Sequence, residues 1–294
     1  MTVFGIGLDH AVHSVDTLFR HAGLADQHGL DVVSVADHPY LGDRPDAYAT
    51  IGLLLGRTTN VSGLVNVTNA ARPAPLLART VTTLSQLSGG RVVLGMGAGG
   101  SWDDIARLGV AKLGPAAAVR AFEEAITIVR LLSGGGDPIT FDGEFYQVTD
   151  LPPAEVATPR IWTGSVGPRS LAVTGRLADG WIPGRAADWL SARYRESRPV
   201  VDEAAARAGR APEDVATIYN FPGRITANPL PATRVHGRWV GGSVDQWVEE
   251  LTGAVLDHDA GGFTLFPVDD GTPLDVVIGR WAQEIAPAVR KAVA

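Results

Sequence analysis

The 294-residue chain contains no cysteine. That absence excludes disulfides, thiolate zinc sites, iron–sulfur clusters and cysteine nucleophiles together. Lysine is nearly missing as well: of the 25 basic residues, all but Lys112 and Lys291 are arginine. Both lysines fall in segments that read as helix surface, which leaves Schiff-base chemistry without a candidate. No apolar run approaches the ~20 residues of a membrane-spanning helix. The stretch Thr2 to Leu8 carries no basic leader, so the chain reads as cytoplasmic with no membrane partner. A formal net charge of −7 argues against sequence-independent binding to nucleic acid. No histidine pair has ligand spacing in a loop, so no metal site is expected, although Asp9, His10, Asp37 and His38 imitate one in composition. A Gly-x-Ser-x-Gly elbow is also lacking, which removes the usual acyl-transfer nucleophile.

What is present is material for a large core: 45% of residues are hydrophobic and 19% charged. Short apolar runs alternate with longer segments of helical period. The runs are Val3 to Leu8, Asp31 to Ala36, Val61 to Val67, Arg91 to Met96, Arg160 to Thr163, Gly180 to Pro183, Val215 to Ile225 and Phe263 to Phe266. Helices are expected from Ser14, from about Pro45 to Gly56, from Pro73 or Pro75 to Ser88, and over Ala116 to Leu132. Others follow over about Pro168 to Ala178, about Asp188 to Ala208, from the capping box at Ser243, and from Thr272-Pro273. Ile139 to Tyr146 interrupts the alternation, and its Asp142-Gly143 marks a hairpin excursion. Eight strand–helix units predict an α/β protein of the (β/α)8 barrel type, with a small hairpin insertion after the fourth unit. The alternative is a doubly wound open sheet, which usually stops at five or six strands. No low-complexity linker divides the chain, so residues 1–294 read as a single domain.

In such a barrel, chemistry gathers in the loops that follow the strands. Here those loops contain Asp9 and His10; Asp37, His38 and Tyr40; Thr68, Asn69 and Arg72; Gly97 to Trp102; Gly164 to Arg169; Pro183 to Arg185; and Asp269 with Asp270. Two of them are glycine-rich, follow adjacent strands and run into helix starts, where free N–H groups and the helix dipole favour an anion. Gly164 to Arg169 is the better anion site, because Pro168 suits the first helical position; ordinary tight turns are the competing reading for both loops. Gly95, Gly97 and Gly100 also spell G-x-G-x-x-G, but Asp103 and Asp104 follow at once and would repel a pyrophosphate. Asp37-His38 is the second concentration of chemistry: histidine exchanges protons near neutral pH, and a neighbouring carboxylate can orient it. A solvated loop histidine is the plain alternative. His21, His28 and His258 lie on helices and read as surface residues.

Val35-Ala36-Asp37-His38, Val67-Thr68-Asn69 with Arg72, and Leu87-Ser88-Gly89-Gly90-Arg91 through Gly99 together resemble the bacterial-luciferase-like family of flavin and deazaflavin oxidoreductases. Trp162-Thr163-Gly164-Ser165-Val166-Gly167-Pro168 and Leu177 to Trp181 extend the likeness, which weakens after residue 185. The resemblance implies a TIM barrel that carries a flavin-type ring at the carboxyl ends of its strands, commonly as a homodimer. The Asp-His pair resembles the branch that uses the deazaflavin coenzyme F420, which implies that Asp37 contacts the ring and His38 is the catalytic proton-transfer residue. A bulge backing the ring, often with a non-proline cis peptide, would fall near Val65 and Asn66. The cofactor phosphate would be held by Ala98 and Gly99 and by Gly164, Ser165, Val166 and Gly167. One departure stands out: some deazaflavin dehydrogenases of the family place a glutamate where this chain has Gly100, with Asp103 or Asp104 as the nearest substitutes. The expected activity is hydride transfer between F420 and a small organic substrate. The alternatives are an FMN-dependent monooxygenase of the same fold and a flavin-binding barrel without turnover. Tyr40 or Trp102 is expected to wall the pocket.

Overall fold

The computed structural model describes residues 2–11, 14–68 and 70–294. Strand β1 (Val3–Gly7) leads into α1 (Val15–Gln27), and β2 (Val32–Val35) into α2 (Ala47–Leu55). The third and fourth units are β3 (Ser62–Thr68) with α3 (Ala74–Ser88), then β4 (Val92–Met96) with a short α4 (Trp102–Ala106) and α5 (Pro115–Leu131). The excursion is an antiparallel hairpin of β5 (Ile139–Asp142) and β6 (Gln147–Leu151), joined by a turn longer than its Asp-Gly alone suggests. Next come β7 (Arg160–Thr163), α6 (Pro168–Leu177), a two-residue β8 (Gly180–Trp181) and α7 (Ala192–Arg207). The chain ends with β9 (Ala216–Thr226), a small β10 (Arg234–Val235) and β11 (Arg238–Trp239) hairpin, β12 (Gly241–Ser243), α8 (Val244–His258), β13 (Ala260–Pro267), α9 (Leu274–Gly279) and α10 (Ala286–Ala292).

Eight of these strands, β1, β2, β3, β4, β7, β8, β9 and β13, form a closed parallel barrel. The seam is short: β8 meets β9 only through Gly180 opposite Ala216 and Trp181 opposite Thr217. The alternation read from sequence therefore holds, and the open-sheet alternative does not. Strand β9 runs past the barrel rim, where β12 pairs with its last residues. Sequence reading passed over β10 to β12 and α4 because each is too short to show a period.

Side chains alternate across each strand, so one set faces the helices and the other the barrel axis. The outer set includes Phe4, Ile6, Val33, Leu94, Phe263 and Leu265, packed under the helices in one continuous core. Trp281 anchors the carboxyl-terminal segment there and donates from its indole to Gly5 O at 2.9 Å. The inner set begins with an apolar plug of Val32, Leu64, Val93, Trp162, Ile182 and Ile218. Above the plug, at the carboxyl ends of the strands, the barrel interior opens into a cavity.

The opposite end of the barrel is tied by charged groups. Arg91 reaches back to Leu55 O, Thr58 O and Val61 O at 2.8, 3.1 and 2.9 Å. Gly89 and Gly90 have φ of 69° and 88°, the left-handed turn that brings Arg91 into place. The Ser88 to Arg91 run is thus a structural clasp below the plug. Asp26 accepts the backbone N–H groups of Thr59, Asn60 and Val61. Against the cost of burial, these bonds hold its carboxyl below the usual carboxylate range. Asp179 ties Ile161 N and Arg130 in the same way. Among the described residues, no helix is long and apolar enough to cross a membrane.

Candidate active site

A cavity of about 470 Å³ opens at the carboxyl ends of the strands. Its volume suits a small-molecule ligand. Asp37, His38 and Tyr40 after β2 line one side. Asn66 to Thr68, Gly97 to Ser101, Gly164 and Val166 line the other, and Ile182 to Ala186 with Asn220 complete the ring.

The β3 wall is shaped by a register break against β4 between Val65 and Thr68, together with a cis peptide between Asn66 and Val67. The bulge lies one residue beyond the expected position. Val65 consequently turns into the outer core, and Asn66 and Val67 reach the cavity instead. Val67 then packs between the two glycine-rich loops. A Cβ at Gly97 would lie 3.0 Å from Val67 Cγ2, and one at Gly164 would lie 3.3 Å from Val67 Cγ1. Gly99 has φ of 89° and supports the Trp102 indole, which a Cβ would meet at 2.8 Å. Trp102 therefore braces this loop, while Tyr40 is the aromatic that lines the cavity.

The anion-binding residues expected from the family divide in two. Ala98, Gly99, Gly164 and Val166 line the cavity; Ser165 and Gly167 do not. Ser165 is buried, its Oγ accepting from Thr174 Oγ1 at 2.9 Å and its carbonyl from Trp181 Nε1 at 2.9 Å. Gly167 caps α6, and its N–H is taken by Ser170 Oγ at 3.2 Å. Asn69 lies outside the described residues.

On the opposite side, Asp37 is fully buried and accepts from Arg72 Nη1 at 2.6 Å. Arg72 also pairs with Asp46, which caps α2 by accepting from Tyr48 N at 3.0 Å and Ala49 N at 2.9 Å. The Arg72 guanidinium lies 4.8 Å from the Tyr48 ring centre. Burial works against the Arg72 charge, but Asp37 and Asp46 outweigh it and raise its pKa. Burial likewise raises the pKa of Tyr48, whose hydroxyl bonds Thr68. The Asp37 carboxylate is thus engaged within the protein. Next to it His38 is exposed, and its Nδ1 lies 2.7 Å from the Tyr40 hydroxyl. Nε2 is the nitrogen left for proton exchange with a ligand.

His10, at the end of β1, is 1% exposed and does not line the cavity. Burial lowers its pKa, and Arg44 and His38 add to that while Asp9 opposes it. His21, expected at the surface, is buried against Asp275 at 2.8 Å, because α1 packs on α9 far along the chain. Asp103 pairs with Lys112 and Asp104 with Arg107 away from the cavity, so neither substitutes for a glutamate at Gly100. Among the described residues, no group of three or more His, Asp or Glu could hold a metal ion.

The luciferase-like monooxygenase family model matches residues 1–262. The chain belongs to this family. A luciferase-like relative from Microbacterium testaceum, an F420-dependent glucose-6-phosphate dehydrogenase, is 32% identical over 206 residues. That match covers 66% of this chain and 60% of the relative, so the chain spans less than two thirds of the curated relative's length. Among solved structures, an F420-dependent secondary alcohol dehydrogenase in complex with an F420-acetone adduct superposes with a TM-score of 0.79 at 19% identity, covering 98% and 99% of the two chains. The oxygenating constituent of a Pseudomonas putida 3,6-diketocamphane monooxygenase, in complex with FMN, gives a TM-score of 0.75 at 17% identity over 97% and 98%. These superpositions show the barrel fold.

Residues missed by sequence reading are Val67, Ile105, Ile182, Ala186 and Asn220. Asn220 left one signal: it is a polar residue on the face of β9 that also carries Ile218.

Proposed function

We propose that this chain is an oxidoreductase that uses the deazaflavin coenzyme F420 to move a hydride to or from a small organic substrate. The observation that carries the reading is His38 at the cavity, tied through Nδ1 to Tyr40 and facing a glycine-lined wall. The wall suits a flat ring system: Gly97, Gly99 and Gly164 present backbone, Val67 presents an apolar face, and among the described residues no side-chain carboxylate lines this side. A bound flavin or deazaflavin supplies the hydride chemistry.

The chain's own residues supply position and a proton. The backbone around Ala98 and Gly164 would hold the anionic part of the cofactor, and Val67 and Asn66 would back its ring. His38 Nε2 gives a proton to the substrate oxygen in the reducing direction and removes one in the oxidising direction. Tyr40 fixes the imidazole orientation, and the Asp37–Arg72–Asp46 chain of ion pairs holds the loop that carries it. The F420-dependent relative at 32% identity and the Asp37-His38 pair support F420 over FMN. Fluorescence titration of the purified protein with F420 and FMN separately tests the choice. Binding of F420 supports it, and tight FMN binding without F420 binding overturns it.

A further inference from the structure

Above the apolar plug the barrel interior has two unlike sectors. On β4 and the end of β7, the axis-facing positions are Gly95 and Gly164, which carry no side chain, while β3 brings Asn66 to the cavity beyond its bulge. On β9, β13 and β2 they are Asn220, Thr264 and Ser34. Thr264 is paired in register with Asn220 on one side and with Gly5 on the other. Thr264 and Ser34 are wholly buried, and neither hydroxyl has a hydrogen-bond partner among the described residues. Asn220 lines the cavity, and its Oδ1 is buried without a partner among the described residues. Buried polar atoms in folded proteins are nearly always bonded, to protein, water or ligand. Gathering three unmet ones in one sector is costly unless something fills them, and Asn220 is the member that reaches the cavity.

We infer that Asn220 is a specificity-determining residue, which hydrogen-bonds an oxygen-bearing group of the substrate other than the one that reacts. Ordered water would satisfy Thr264, in register beside it, and Ser34. The substrate class is then a small neutral molecule with a hydroxyl, carbonyl or amide beside its reacting carbon, rather than a plain hydrocarbon ketone or alcohol. This inference rests on the hydride-transfer reading above. A site built to hydrogen-bond a substrate hydroxyl rejects the analogue lacking it far more strongly than an apolar pocket separates substrates by one methylene.

Hydroxyacetone and butan-2-one test the idea, being close in size and differing by hydroxyl against methyl. Their binding is measured by ligand-observed NMR on the intact protein, with and without F420, for wild type, N220L and N220A, with thermal melts to confirm folding. Wild type is expected to prefer hydroxyacetone by at least about tenfold, and both variants to lose or reverse that preference. Equal binding of the two probes to wild type overturns the inference, as does an unchanged preference in a folded variant. Failure of F420 to bind while the preference persists strikes the coenzyme assignment alone. F420 binding without a preference strikes this inference alone.

Discussion

The two ends of the barrel treat polar groups in opposite ways. Below the plug, Asp26, Arg91 and Asp179 are bonded into neighbouring backbone, so their charges clasp strand starts to helix ends. Above it, Asn220 Oδ1, Thr264 Oγ1, Ser34 Oγ and His10 Nε2 are buried without partners among the described residues, and His38 bonds Tyr40 through Nδ1. Saturated polar groups hold a fold together. Unsaturated ones are maintained at a cost of about 1–3 kcal/mol each unless water or ligand meets them. The contrast separates the stability face of this barrel from its binding face. The Asp37–Arg72–Asp46 chain runs against this contrast, being an ion-paired brace within the binding face.

The sharpest way to break the comparison is at His38. H38A is expected to lower turnover about 10²- to 10⁴-fold while thermal stability stays near wild type. Steady-state rates with F420 and any accepted substrate check it, and an unchanged rate removes His38 from the chemistry. Gly164→Leu should fill the cradle against Val67 and weaken cofactor binding at least about 100-fold, or ~3 kcal/mol, read by fluorescence titration. At the other end the pattern reverses. R91M leaves several backbone carbonyls without their donor and should cost about 3 kcal/mol in urea unfolding, with cofactor affinity unchanged.

A smaller effect comes from pH. Burial, the largest cause for both, places His10 and His21 below their ordinary value of 6.5. The unfolded chain therefore takes up protons that the folded chain refuses. Stability is fully present above about pH 6.5 and declines as pH falls through that value toward the lowered folded pKa. Urea midpoints at pH 7.5 and 5.5 should show the loss, and an H10Q/H21Q double variant should flatten it. Smallest is Y40F, which frees the His38 ring and should slow turnover several-fold, on the order of 1 kcal/mol, without moving cofactor affinity.

The strand–helix count was legible because each unit announces itself locally, by an apolar run, a capping residue or a Gly-Gly stop. Ser243 shows this well: it accepts from Gln246 N at 3.4 Å, and Gln246 Oε1 accepts from Ser243 N at 3.0 Å, the reciprocal cap its spacing predicts. Asp37, His38, Ala98, Gly99 and Gly164 were legible as cavity residues because they directly follow strands. Val65 was not separable from its neighbours, because one residue of slip exchanges the two faces of a strand, and Ser165 and Gly167 lie in the turn between β7 and α6, whose folded backbone decides which residues reach the cavity. The bulge after Val65 makes that exchange.

The order of elements, the glycine stops and the Asp-His pair are properties of consecutive residues, and the sequence by itself determined them. Tertiary structure alone decided that β8 and β9 close the ring, that α9 buries His21, and that Asn220 reaches the same cavity as His38. Each of those outcomes depends on segments far apart in the chain meeting in space, and no local pattern of side chains encodes which face will meet which.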